Sequence, residues 1–314
     1  MKIAPTPGLA VLIGGAGFIG TAVAESLARE GWRLRIACRN PAGARHLKPL
    51  GDVGQVDAVK ADIRVPASLA AAVRGADVVL NFVGILDEKG GQSFDDVAAG
   101  SAAAAKVAAA AGARGFVQLS AIGADPNGAS AYARGKAKAE AGVKAAFPAA
   151  SIVRPSLVFG AEDSFTNRFA GLIASAPVVP VIAGGTRFQP VFVQDLAQAI
   201  HAIVDQGQAG TWEIGGPDIL TMHQIMAFVA QAIGSGEKPL IETPDIGARV
   251  LAGFGFLPGA PLTQDQYLLL KQDNVVSGAH PGLADLEIAP TPLGAVADQW
   301  LARYRSGGRF AVAS

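Results

Sequence analysis

The chain has 314 residues, 50% hydrophobic and 17% charged, with 26 Lys+Arg balanced by 26 Asp+Glu. That length supports one large or two small domains with a sizeable core. The charge balance, without a basic run, excludes the electrostatic footprint of nucleic-acid binding. The single cysteine, Cys38, excludes an internal disulfide and fits a reducing compartment, and the four histidines stand at no metal-ligand spacing, so no metal site is read.

Lys2 precedes an apolar stretch that Pro5 and Pro7 break, so no signal peptide is read there. LAVLI, residues 9–13, is an apolar run of strand length, and FIGTAVAESLARE from Phe18 has helical spacing. Between them lies GGAGFIG, residues 14–20. Strand, glycine turn and helix form the context in which such glycines mean dinucleotide binding. Gly14 permits the turn, Gly17 lets the backbone approach a pyrophosphate, and Gly20 lets the helix pack on the strand. Phe18 and Ile19 open the helix whose free N–H groups would face the phosphates.

The next strand, within WRLRIACRNP, ends on Arg39 and Asn40. An acidic residue about 20 residues beyond the glycines would favour NAD by accepting from the ribose hydroxyls. A guanidinium there pairs with a 2′-phosphate instead, so the residues predict NADP(H) over NAD(H).

After a variable stretch at 41–55, strands are predicted at 56–63 and 76–84, with a helix starting at Pro66 between them. An alanine-rich helix follows from Phe94 and is closed by Gly112. RGFVQLSAIG (114–123) reads as a strand with Ser120 at its end, then a long helix is stopped by Pro148, and SIVRPSLVFG (151–160) reads as a sixth strand. Alternation of this kind predicts an α/β fold, a doubly wound parallel Rossmann-type sheet. Asp62, Asn81, Ser120 and Pro155 then fall at the carboxyl ends of strands, where such sheets bind ligands.

From about residue 160 the pattern is less regular. Helices are predicted near 164–174, 194–206, 221–233 and 262–276, and strands near 188–193 and 211–214. Thr263 and Gln266 fit a capping box for the last helix. The uncharged run 169–186 is short for a membrane span and carries Pro177 and Pro180, so it reads as a helix followed by a buried extended segment. A mean hydropathy of +0.34 leaves peripheral membrane association open. The division is read as a dinucleotide-binding domain at 1–160 and a smaller C-terminal substrate or partner region at 161–314, packed on it.

Tyr132 and Lys136 lie four apart on the predicted helix, hence on one face. A phenol has a reference pKa of roughly 10. A neighbouring ammonium and a cationic nicotinamide would draw it toward neutrality. With Ser120 holding a substrate hydroxyl or carbonyl, the trio can couple proton transfer to hydride transfer. Arg187 and Gln189 are read equally as cleft-facing or surface residues, Asp195 as a helix-start residue, and Arg154 as a bridge from the sixth strand to the substrate region. The apolar segment 246–259 suits a core helix, with a membrane or partner surface as the other reading.

Taken together, GGAGFIG, Asp62, NFVG, Ser120, YARGK and RPSLVFG resemble an extended or atypical short-chain dehydrogenase/reductase over nearly the whole chain. The resemblance implies that Asp62 and Ile63 border adenine, that Asn81, Val83 and Gly84 line the ribose side, that Lys136 meets the nicotinamide ribose, and that Pro155, Ser156 and Val158 touch the nicotinamide. A narrower resemblance joins residues 120–140, 151–170, 186–200, 213–221 and 272–278 to the nucleotide-binding accessory subunit family of respiratory complex I and its bacterial relatives. It implies a tightly held NADPH in a structural or assembly role, complex I or a membrane surface as partner, and a cytoplasmic protein peripheral on the inner face of the cytoplasmic membrane. The intact Ser120, Tyr132 and Lys136 support the alternative of an active NADP-dependent reductase or epimerase acting on a sugar nucleotide, a steroid-like alcohol or a quinone-like carbonyl. A dehydratase is disfavoured, since Asp125 is the one acid near Ser120, and a non-catalytic redox sensor is the third reading.

Overall fold

The structure, a computed structural model, describes residues 8–88, 91–253 and 262–308. In chain order the first elements are β1 (Leu9–Ile13), α1 (Phe18–Arg29), β2 (Arg33–Cys38), β3 (Val56–Lys60), α2 (Pro66–Ala72), β4 (Val78–Asn81), α3 (Phe94–Ala110), β5 (Gly115–Leu119), α4 (Ala131–Ala146) and β6 (Ser151–Pro155). There follow β7 (Val158–Phe159), α5 (Ser164–Ser175), β8 (Val179–Val181), β9 (Arg187–Phe188), β10 (Val191–Phe192), α6 (Val193–Gln206) and β11 (Gly210–Ile214). The rest comprises β12 (Leu220–Thr221), α7 (Met222–Ala232), β13 (Leu240–Glu242), α8 (Asp245–Gly253), α9 (Gln264–Leu270), α10 (Leu293–Val296) and α11 (Asp298–Leu301).

A seven-stranded sheet runs in the order β11-β6-β5-β4-β1-β2-β3. The ladders from β3 through β6 are parallel, and helices cover both sides. The order reverses at β1, between β2 and β4, so the loops leaving β1 and β4 diverge around a crevice. Ile13 pairs with both Ala37 and Asn81, which brings the carboxyl ends of β1, β2 and β4 level.

Val11, Ile13, Val79, Phe116 and Ile152 from the strands pack on Leu69, Ala104, Ala108 and Val143 from the helices. Alanine and glycine let those helices come close. A Cβ on Gly142 would stand 2.8 Å from that of Ala102, so α3 and α4 touch through their smallest residues. The predicted strands are longer than the ladders. Asp62, Val83, Gly84 and Ser120 lie just beyond β3, β4 and β5, in the loops that leave the sheet.

The described residues group into two compact units, discontinuous in sequence: those of 8–154 with 194–213 and 280–288, and those of 155–193 with 214–279 and 289–308. This differs from a single boundary near 160. α6 buries Leu196, Ala197, Ile200 and Ile203 within the first unit, and β11 extends its sheet edge. The second unit has its own core, in which Phe159, Ile173, Val179, Met226, Val229 and Trp300 are buried.

Two second-unit predictions are corrected. The helix expected over 262–276 stops at Leu270, although the Thr263/Gln266 capping box is present. Asp273 and Asn274 are used elsewhere: Asp273 accepts from the Arg187 backbone and guanidinium, and Asn274 forms a bridge with Phe188. The strand expected over 188–193 is two short strands, because Gln189 and Pro190 interrupt it and Pro190 has no N–H to donate. Likewise 151–160 breaks at Ser156 and Leu157, after which Val158 and Phe159 pair with Val191 and Phe192.

Candidate functional site

The glycine turn occupies the mouth of the crevice in the first unit. Gly14 donates its N–H to the Ala37 carbonyl at 2.9 Å and has φ +74°, a conformation that disfavours any side chain. A Cβ there would also meet Val83 Cγ2 at 2.9 Å. Gly17 is the N-cap of α1, exposed, with no side chain capping the helix and no acid in its first turn. A Cβ on Gly17 would point into open space, its nearest neighbour the Gly14 carbonyl oxygen at 3.5 Å. Gly20 packs on the turn itself, since its Cβ would fall 2.6 Å from Gly15 Cα. Phe18 and Ile19 are half-buried in the first turn. Uncapped N–H groups, a helix dipole and a vacant Cβ position together suit a diphosphate.

At the end of β2, Arg39 is exposed and donates to the Gln92 amide oxygen at 3.1 Å, while the Asn40 side chain accepts from the Gly43 N–H. Asp62 is gripped by Arg64 through Nε at 3.0 Å and Nη2 at 2.7 Å. These hydrogen bonds, with the backbone N–H of Arg64 and weaker fields from Arg64 and Arg39, hold its carboxyl down at about 2. Arg64 and Gln92 carry no sequence signal, because each is meaningful only through a partner brought by the fold. Ile63 is buried, and a Cβ on Gly100 of α3 would meet its Cγ1 at 2.6 Å.

Asn81 lies wholly inside. Its Nδ2 donates to Ser101 Oγ at 3.1 Å and Gln118 Oε1 at 2.9 Å, and its Oδ1 accepts from the Val83 N–H at 3.2 Å. Its side chain therefore fixes the Val83–Gly84 loop from beneath.

Tyr132 and Lys136 are brought together in a small cavity shared with Gly84, Phe94, Ser101 and Gln118. Lys136 Nζ stands 5.6 Å from the centre of the Tyr132 ring and 3.5 Å from the Leu119 carbonyl oxygen, to which it donates. Phe94 meets the Tyr132 ring edge-on at 6.0 Å. Lost hydration pushes the Tyr132 phenol up to about 12 and the Lys136 ammonium down to about 8, with Glu140 partly offsetting the latter. The chain's own contribution, burial alone, thus raises the phenol, opposite in direction to the lowering expected from the Tyr-Lys spacing.

Ser120 is not in that cavity. It is 4% exposed and donates its hydroxyl to Glu140 Oε1 at 2.6 Å. Glu140 in turn accepts two hydrogen bonds from Arg154, at 2.8 and 2.6 Å, and Arg154 Nη1 lies 3.8 Å from Glu213. Ser120 therefore has its one proton committed, and only lone pairs remain for any other partner. Arg154, expected to bridge toward the substrate region, is held inside the first unit by these two carboxylates.

Pro155 ends β6 and Val158 opens β7, both within the second unit. There Arg187 pairs with Asp273 at 2.6 Å, and Gln189 clasps the Gly216 carbonyl and the Val276 N–H. Ser156 donates its hydroxyl to Asn274. Asp195 sits in the first turn of α6 as read. Of the segment 246–259, residues 246–253 belong to α8, and 254–259 lie outside the described residues. Among the described residues no helix is long and apolar enough to cross a membrane, and no cluster of ligands could hold a metal ion.

Residues 10–215 match the NAD dependent epimerase/dehydratase family, and the chain belongs to it. The glycine turn fits the nicotinamide dinucleotide that this family carries, by the open Cβ position at Gly17 and the uncapped start of α1. Over 318 residues the chain is 33% identical to NADH dehydrogenase [ubiquinone] 1 alpha subcomplex subunit 9, mitochondrial, of Arabidopsis thaliana, covering 96% of this chain and 79% of that protein. It is also 32% identical over 243 residues to a ceramide reductase of Caulobacter vibrioides, covering 76% of this chain and 75% of that one. In fold it is similar to a UDP-N-acetylglucosamine 4-epimerase from Methanobrevibacter ruminantium solved with UDP-N-acetylmuramic acid, with TM-score 0.70, 14% identity, and 95% and 96% of the two chains covered.

Proposed function

We propose that this protein is an NADP(H)-binding accessory or assembly protein of respiratory complex I, in which the dinucleotide stabilises the fold rather than turning over. The observation that carries this reading is a contrast within one unit. The glycine turn leaves the start of α1 open to a diphosphate, whereas the Ser120 hydroxyl already donates its proton to Glu140. The similarity of 96% of the chain to a complex I subunit supports it.

Gly14, Gly17, Phe18, Ile19 and Gly20 would hold the diphosphate, and Asp62 and Ile63 the adenine. Arg39 and Asn40 would take a 2′-phosphate. The guanidinium of Arg39 rests on a neutral amide, while the Asp62 charge nearby is already matched by Arg64. Lys136 would donate to the nicotinamide ribose, beside a loop of Val83 and Gly84 that Asn81 supports. Pro155 and Val158 would border the nicotinamide. A ligand that binds only the folded state stabilises it by mass action, so such a chain would be sturdier loaded than empty. The protein would act on the cytoplasmic side, at the membrane surface where complex I stands.

The test is to solubilise native membranes gently and follow the protein on a native gel. Co-migration with NADH:quinone oxidoreductase activity is the expected result. Recovery in the soluble fraction, apart from that activity, would overturn the proposal.

A second reading, an active NADP-dependent reductase, is favoured by the Tyr132–Lys136 pair in one cavity and by the similarity to a ceramide reductase. When bound, the dinucleotide would supply hydride. Tyr132 would exchange a proton with the substrate oxygen at its phenol, and Lys136 would lower the energy of the phenolate through its charge.

A further inference from the structure

We infer that Arg64 is a second ligand of the 2′-phosphate, and that with Arg39 it closes a seat of two guanidiniums at the ends of β2 and β3. The inference rests on the NADP(H) reading and adds to it a residue that selects the phosphate.

The register of the sheet brings the two arginines to one place. Cys38 pairs with Lys60, and the Ala61 N–H donates to the Cys38 carbonyl at 3.0 Å. Arg39 therefore leaves β2 level with Ala61, one residue before Asp62, on strands about 4.8 Å apart. Both side chains then reach consecutive residues ahead of α3. Arg39 Nη1 donates to Gln92 Oε1 at 3.1 Å, and Arg64 Nη1 donates to the Gly91 carbonyl oxygen at 3.3 Å. The two guanidiniums thus close on one dipeptide. A phosphomonoester, with its several strong acceptor oxygens, can offer one to each.

Neither arginine is used up by its present contacts. Both are exposed. Among the described residues, the one hydrogen bond from the Arg39 side chain goes to Gln92. Arg64 gives its Nε proton and one Nη2 proton to Asp62, and one Nη1 proton to Gly91. A guanidinium has a further proton on each terminal nitrogen, and Arg64 keeps both for another acceptor. The oxygens that the pair meets at Gly91 and Gln92 belong to neutral amides. A hydrogen bond to a charged phosphate oxygen is stronger, roughly twofold, so a phosphate displaces them.

The acids close by are already engaged. Asp62 is the carboxylate that Arg64 grips. Asp96, whose field also reaches Arg64, accepts from the Ser93 N–H in the capping box that opens α3. A helix start offsets a negative charge in that position.

The experiment compares two probes by isothermal titration on the full chain. Adenosine 2′,5′-bisphosphate and adenosine 5′-monophosphate differ only in the 2′-phosphate, so the ratio of their affinities cancels any loss common to both. Wild type should favour the bisphosphate. Arg64→Gln should lower that preference by about tenfold. Because the change also uncovers the Asp62 charge, it is repeated in an Asp62→Asn background, where the same fall should persist. A preference that survives Arg64→Gln intact, or that falls only while Asp62 is charged, overturns the inference and leaves Arg64 as a clamp on Asp62. If Arg64→Gln does not fold, Arg64→Lys keeps the charge and loses the fork. It should lower the preference by at least about threefold, and an unmoved preference is equally fatal. The two ideas fail differently. A wild-type protein that holds both probes equally sinks the NADP(H) reading and this inference together, whereas a wild-type preference indifferent to Arg64 sinks this one alone.

Discussion

Ser120 and Glu140, twenty residues apart in sequence, meet at 2.6 Å in the interior, hydroxyl to carboxylate. The contact joins the end of β5 to the third turn of α4 and commits the serine proton to a carboxylate. A hydrogen bond to a charged group inside a protein contributes about 1.5–3 kcal/mol. Ser120→Ala is therefore expected to destabilise the protein by an amount in that range, measured by denaturant unfolding, while NADPH affinity changes little. Under the second reading the same variant should keep turnover within a few-fold of wild type, and loss of turnover would return Ser120 to the chemistry.

Gly17 offers a sharper probe of the turn. Its backbone has φ −86°, so alanine fits without strain, and the added methyl meets nothing closer than 3.5 Å. Gly17→Ala should melt at the wild-type temperature when empty. NADPH affinity should nevertheless drop by at least about tenfold, or ~1.4 kcal/mol, because the methyl occupies the approach of the diphosphate. Isothermal titration of both nucleotides checks this, and undiminished affinity would remove Gly17 from the site.

Arg39→Asp addresses which dinucleotide is held. It replaces a cation resting on Gln92 by an anion, and carboxylate against phosphate is repulsive. The ratio of NADPH to NADH affinity should fall by roughly 100-fold, about 2.7 kcal/mol. An unchanged ratio would show that Arg39 does not select.

Lys136 predicts a pH dependence of stability. Its folded-state pKa is about 8 against an ordinary 10.5, so between those values the unfolded chain binds the proton and the folded one does not. Stability then rises with pH across that window. Lys136→Met removes this term. The variant should exceed wild type in melting temperature at pH 7, and the difference should shrink as pH rises from about 8 toward 10.5. Tyr132 acts in the opposite sense: a phenol at about 12 in the fold and 10.0 in the open chain loses stability between those values. A pH series of thermal melts on wild type, Lys136→Met and Tyr132→Phe resolves both.

Tyr132→Phe also separates the two functional readings. Under the accessory role, folding, dinucleotide retention and association with complex I activity should be unaltered. Under the reductase role, turnover should disappear while NADPH affinity is kept, because the phenol is the only proton carrier assigned to the step. Screening both proteins against the same carbonyl substrates, with NADPH oxidation as the readout, decides between them.

Much of this protein was legible in one dimension. The strand-glycine-helix succession over 9–30 needs no distant partner, since turn geometry and helix start are properties of consecutive residues. The alternation of apolar strands with alanine-rich helices likewise predicts the parallel sheet. The strand ends also follow from the pattern: Asn81 closes β4, and Gly14, Arg39, Asp62 and Ser120 lie just past the carboxyl ends of β1, β2, β3 and β5. The Tyr132–Lys136 pairing followed from helical spacing alone.

What sequence could not decide was where side chains spend their hydrogen bonds. Ser120 goes to Glu140, Asn81 to Ser101 and Gln118, Asp62 to Arg64, and Arg154 to Glu140 and Glu213. Except for Asp62 and Arg64, these partners are far apart in the chain, and each choice minimises buried unpaired polarity once the strands are stacked. The same holds for charge. Spacing put an ammonium beside a phenol, but dehydration at their place in the fold, a tertiary property, raises the phenol and lowers the ammonium. Local sequence thus determined the sheet, the glycine turn and the identity of the candidate groups. Only the packed structure decided which of those groups remain available to a ligand, because availability depends on what else is buried next to them.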